Sequence, residues 1–171
     1  MGIAHDGSSN DYRGLIEEVR LYGKAFSQVE AEQLYLIRDS DYQTTSNLPS
    51  ATPTSRYDFE STGSTATDTQ GNNDGTINGA TRATDRVIGD KSIEFTSDTD
   101  YVEIPNLVGG ETTWSVSGWV NVNSVGSDST IIGRWSTTDS LKSFLLYRDT
   151  GNNYFRALIS ERSSTNTLDT E

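Results

Sequence analysis

Tyr12-Arg-Gly-Leu-Ile-Glu-Glu-Val-Arg-Leu-Tyr22, followed by Gly23-Lys24 and by Ser27-Gln-Val-Glu30, is the stretch on which the fold turns. Ile16 precedes two carboxylates, and Val19 and Leu21 then alternate with Arg20 and Tyr22. A period of two marks a half-buried strand. Gly23-Lys24 makes a turn. Ser27 and Glu30 spell a capping box, in which the Ser hydroxyl bonds the amide at Glu30 while Glu30 reaches back to the amide of Ser27. A short helix is therefore predicted from about Gln28 to Ile37, with Val29, Leu34 and Ile37 on its inward side.

Outward from this stretch the pattern dissolves. Residues 38–55 are rich in Asp, Ser, Thr and Gln and contain Pro49 and Pro53, so few of them can be buried. They read as an extended linker, because proline restricts both its own φ and that of its predecessor. Beyond it, Tyr57-Asp-Phe-Glu60 alternates as part of a strand over Arg56–Ser61. A polar loop, Asp68-Thr-Gln-Gly-Asn-Asn-Asp74, leads to a short strand at Thr76–Asn78. Further strands are predicted at Ser92–Thr96, Asp100–Ile104, Trp114–Val122, Ser129–Trp135, Ser143–Arg148 and Tyr154–Ser160. Asp149-Thr-Gly-Asn-Asn153 reads as a hairpin connection, Gly and Asn being tolerant of positive φ. The tail Glu161–Glu171 has no periodicity and reads as a loop, and no long segment occurs twice.

Composition agrees with an all-β chain. Of 171 residues, 32% are hydrophobic, spread among many Gly, Ser, Thr, Asn and Asp. The length suits one domain with a full core and is short for two. With 25 acidic residues against 13 basic ones, the net charge of −12 argues against a nucleic-acid partner, which needs clustered Lys and Arg. The absence of cysteine removes disulfide frames and thiolate metal sites. No run approaches the ~18 apolar residues of a membrane helix, so no membrane insertion is expected. The first residues contain no apolar signal core, and the targeting segment of an exported protein would lie outside this sequence.

The run Gly14-Leu-Ile-Glu-Glu-Val-Arg-Leu-Tyr-Gly-Lys-Ala-Phe-Ser-Gln-Val-Glu-Ala-Glu-Gln-Leu-Tyr35 resembles the C-terminal signature of the laminin-G-like, concanavalin A-like lectin/glucanase superfamily. Tyr57–Ile104 resembles that family's N-terminal half, and Trp114-Ser-Val-Ser-Gly-Trp-Val120 its central strand. The resemblance implies a concanavalin A-like jelly roll, two antiparallel sheets with one short helix. The family order is reversed here, since the closing-type strand and helix (1–37) precede the linker (38–55) and the opening and central strands (56–171). The family's Trp-His-containing strand and Asp-Gly hairpin, expected after Ser160, are missing. Residues 1–35 should therefore dock beside the later strands, either within the chain as a permuted sandwich or on a neighbour as a donated element.

The resemblance also implies a structural calcium. Calcium takes several oxygen ligands, and Asp68, Asn73 and Asp74 offer that chemistry, with Glu17 completing the shell if the two segments meet. The alternative is that these are turn and capping residues. Glu17 and Glu18 are adjacent on a strand and point to opposite faces, so they are no glycosidase pair. The glucanase branch's spaced Glu-x-x-x-Glu motif is absent. His5, the single histidine, reads as a solvated turn residue. Trp119 and Trp135 are the candidates for stacking on a sugar ring, while Trp114 is expected in the core. The expected function is that of a non-catalytic, extracellular adhesion or assembly module of a repetitive surface or filament protein, its partners being neighbouring copies or tandem modules. The alternative is a carbohydrate-binding module of a glycan-processing enzyme.

Overall fold

The computed structural model describes residues 12–36, 51–105, 107, 112–125, 129–134, 144–149, 151, 154–160 and 167–170. In chain order the elements are β1 (Tyr12–Tyr22), α1 (Gln28–Leu36), β2 (Ser55–Tyr57), β3 (Thr65–Ala66), β4 (Gly75–Asn78), β5 (Thr81–Ala83), β6 (Ser92–Phe95) and β7 (Tyr101–Glu103). They continue with β8 (Ser115–Val125), β9 (Ser129–Arg134), β10 (Phe144–Asp149), β11 (Tyr154–Ser160) and β12 (Thr167–Thr170). The chain is all-β apart from its short helix, and every strand pairing among the described residues is antiparallel.

β1 sits inside the first sheet. One edge pairs with β8 along most of its length, and the other is shared by β6 next to Gly14–Ile16 and β2 next to Val19–Leu21, with β5 beyond β6. A four-stranded sheet runs β12-β11-β10-β9, and a three-stranded one runs β3-β4-β7. All three meet in a single core containing Ile16 and Val19 of β1, Tyr57 of β2, Ile77 of β4, Phe95 of β6, Ile131 of β9 and Phe144 of β10. Trp114 packs on Phe144 at 4.6 Å between ring centroids, its expected place. β1 thus shares one sheet with β2, β5, β6 and β8, which all follow the stretch expected as a linker.

The position of β1 corrects its expected half-burial. All but Arg13 of its eleven residues are buried. Ile16, Val19 and Leu21 enter the core, while the charged residues among them are covered as well. The alternation breaks at Glu18, whose φ of 49° is left-handed. Glu17 opposes Trp119 and Arg20 opposes Ser117, so Glu18 and Val19 together face Gly118. This is a β-bulge, which re-aims a side chain by inserting one residue. Gly14 marks a second register shift, and a Cβ there would collide with the Asn121 carbonyl.

The capping box forms as read. Glu30 Oε2 accepts the Ser27 amide at 3.0 Å, and Ser27 Oγ accepts the Glu30 amide at 3.4 Å. Lys24 adds an ion pair at 2.6 Å and is the largest of the causes that hold the Glu30 carboxyl down to about 2. The inward face differs from expectation. No residue of α1 is fully buried, Leu34 is half-buried, Val29 points to solvent, and Ile37 lies outside the described residues.

Elsewhere the strand expected over Arg56–Ser61 ends at Tyr57 and begins at Ser55, one residue inside the expected linker. Phe59 has a φ of 60°, so the backbone leaves the ladder while its ring stays in the core beside Tyr57. β10 pairs antiparallel with β11 as the expected hairpin requires, with Asp149 opposite Tyr154. The tail is no plain loop, because Thr167–Thr170 adds to β11 as β12.

Candidate functional site

The carboxylates that resembled ligands are aimed at amides. Glu17 accepts the backbone N–H groups of Val87 and Ile88, the latter at 3.1 Å, and so fastens the loop between β5 and β6 to the face of β1. Glu60 does the same for Asp90 and Lys91, at 2.7 and 3.0 Å. Asp68 is the most heavily engaged. Its Oδ1 accepts the amides of Arg56, Gln70 and Gly71 at 2.9–3.1 Å, and its Oδ2 that of Asn73 at 3.4 Å. Asp74 accepts the Asp68 amide at 2.8 Å, and the Asn73 carbonyl accepts the Tyr57 hydroxyl at 2.6 Å.

A calcium shell needs oxygens turned toward one point with lone pairs to give. Asp68, Asn73 and Asp74 share a loop in which both Asp68 carboxylate oxygens, Asp74 Oδ1 and the Asn73 backbone carbonyl accept hydrogen bonds. Glu17 serves a different loop, and among the described residues no group of three or more Asp, Glu or His side chains is arranged to hold a metal ion. The loop closes through its own hydrogen bonds.

Asp68 also yields a pH prediction. Burial raises its pKa, but the amides of Arg56, Gly71 and Gln70 and the Ser55 hydroxyl outweigh it, and the net value lies below the ordinary one. A carboxyl depressed by folding stabilises the fold at pH values above the unfolded-chain value of about 3.9 and loses that contribution as the pH falls through the folded value. Asp68→Asn puts an NH2 group against amide donors and should cost about 1–3 kcal/mol at pH 7. In urea titrations the variant should lose less stability than the wild type between pH 5 and pH 3. Parallel losses in the two proteins would refute this role.

No pattern in the sequence signals a cleft of about 300 Å³ that opens between α1 and β8. Ala31, Leu34 and Tyr35 of α1 form one wall, with Phe26 before the helix. Val116–Val120 of β8 form another, and Ile131, Ile132 and Leu146 close the inner end. Trp119 is half-buried there, with its ring 5.6 Å from that of Tyr35 and tilted by 33°. The Ser115 hydroxyl pins the turn before α1 to the start of β8, donating to the Lys24 carbonyl at 2.8 Å and accepting the Phe26 amide at 3.0 Å.

Charge enters the cleft as a neutralised set. Glu18, aimed by its bulge, takes a bidentate fork from Arg56 at 2.7 and 3.1 Å and a third bond from Arg20 Nε at 3.0 Å. Asp58 lies 3.8 Å from Arg56. Such forks are rigid and specific. Rings, methyl groups and a fixed ion cluster equip this cleft to bind.

Of the two tryptophans expected to contact ligand, Trp119 lines the cleft with Tyr35 packed against it. Trp135 lies outside the described residues, as does His5. No helix among the described residues is long and apolar enough to cross a membrane. No protein-family model, curated protein or solved structure matches this chain.

Proposed function

We propose that the chain is a laminin-G-like, concanavalin A-like jelly-roll module, permuted and closed within itself, that acts outside the cell as a non-catalytic adhesion or assembly unit. The fold reading is supported by the antiparallel pairing of the closing-type strand β1 with the opening-type strand β2. The functional reading is carried by one observation. α1 holds Val29, Tyr35 and Leu36 at 63%, 64% and 67% exposure beside an open apolar cleft. On an acidic, polar protein, large apolar side chains exposed beside a cleft support a contact site.

Tyr35→Ser with Leu36→Ser tests this reading. Exposed substitutions of this kind leave stability within about 0.5 kcal/mol. Sedimentation over a broad concentration range should show wild-type association that the double variant weakens, with both melting alike. A wild-type protein that stays monomeric throughout and adheres to no copy of itself on a coated surface would defeat the proposal. The carbohydrate-binding reading draws on the Trp119–Tyr35 pair at the cleft mouth. Glycan-array binding abolished by Trp119→Ala would favour it.

A further inference from the structure

The cleft beside α1 is built by the helix and two sheets together. Ile16, Val19 and Val116 line it from the first sheet, and Ile131, Ile132 and Leu146 from the four-stranded one. Three rings, those of Phe26, Tyr35 and Trp119, complete the wall. Small-molecule sites are concave, mostly apolar spaces with a few polar groups, and they begin at about 300 Å³. This cleft has that size and that lining.

Charge narrows what the space can take. Among the described residues that line it, Glu18 and Arg20 alone are ionised, and both are buried. They are bonded to each other, Glu18 also holds Arg56, and Asp58 lies beside Arg56. Two carboxylates and two guanidinium groups sum to zero. An ionised ligand would give up its hydration here and meet no surplus of opposite charge. A ligand rich in hydroxyl groups fares no better, because methyl groups and rings leave most of them unpaired, which is costly. Glu18 carries a further mark, its left-handed φ of 49°. Residues other than glycine are held there at a cost, and such strain gathers at ligand sites.

We propose that the cleft binds one uncharged, ring-bearing, largely apolar small molecule. Its ring lies against those of Phe26, Tyr35 and Trp119, and its body against Ile131, Ile132 and Leu146. Aromatic rings attract one another at their edges and offset faces beyond the area they bury. Ser117 also lines the cleft and offers a hydroxyl, so one polar atom on the ligand can be matched. α1 forms the outer wall, since none of its residues is fully buried. The inference goes beyond the assembly reading and holds for a single chain.

Fluorescence titration of the full chain with N-phenyl-1-naphthylamine, an uncharged two-part aromatic probe, provides the test. The wild type should bind it saturably at one probe per chain, with blue-shifted emission. The sulfonated relative 8-anilino-1-naphthalenesulfonate should bind at least tenfold more weakly. Ala31→Trp adds an indole to the cleft wall and should weaken the uncharged probe at least tenfold. Val29→Trp, on the same helix but exposed and outside the described lining, should leave binding and melting unchanged. Leu34→Trp decides the matter if Ala31→Trp fails to fold, since Leu34 also lines the cleft. Three results would each overturn the proposal: no saturable binding by the wild type, equal affinity for the two probes, or undiminished binding by folded cleft variants. None of them alters the assembly reading, which sedimentation without probe tests separately.

Discussion

Deleting residues 1–36 is expected to leave a chain with no cooperative unfolding transition. β1 contributes Ile16, Val19 and Leu21 to the core, all nearly free of solvent exposure. Full burial of such side chains is worth about 1.5–3 kcal/mol each, or roughly 5–9 kcal/mol together. Domain stabilities are about 5–15 kcal/mol, so these side chains alone account for a large share. The deletion also strips β2, β6 and β8 of the strand they pair with in common. Circular dichroism in urea should show a gradual drift, and adding residues 1–36 as a separate peptide should restore a sigmoidal curve. A truncated chain that melts where the full chain does would show that the sheet needs no β1.

The second large effect is expected at Glu18. Its carboxylate holds two guanidinium groups, Arg20 at 7% and Arg56 at 19% side-chain exposure. Glu18→Ala removes the charge that offsets them, and breaking a buried ionic group in this way costs about 3–5 kcal/mol. For a chain of this size that lowers the melting temperature by roughly 10 °C. Replacing Glu18, Arg20 and Arg56 together with apolar residues should recover most of the loss, because the penalty lies in uncompensated charge. If the triple replacement melts as low as Glu18→Ala, the left-handed φ at Glu18 outweighs the charges as the source of the effect.

The sequence revealed what is local. Period-two alternation gave β1 its bounds, the capping box gave α1 its start, and the Asp-Thr-Gly-Asn-Asn connection paired β10 with β11. The bulge at Glu18 was illegible because a left-handed glutamate carries no compositional mark, unlike glycine. Without the bulge, Glu17 and Glu18 look like one buried and one exposed carboxylate. With it both are buried, on different partners. β3 and β5, of two and three residues, are too short to show a period, and β12 is held by its pairing to β11. At the candidate site Trp119 was singled out only as an aromatic able to stack on a ligand. The cleft was not, since it arises where α1, β1, β8, β9 and β10 converge. At Asp68 the sequence left two readings open because a loop that suits calcium also suits a carboxylate held by amides, and the amides are what the carboxylate meets.

The central place of β1 carries a burden for synthesis. Its register partners on β8 begin at Ser115, so β1 leaves the ribosome long before its neighbour on that side. At typical elongation of about 5–20 residues per second, that interval is of the order of 5–20 s. Throughout it a nascent strand rich in Leu, Ile and Val waits in the open, where hydrophobic clients are captured by chaperones.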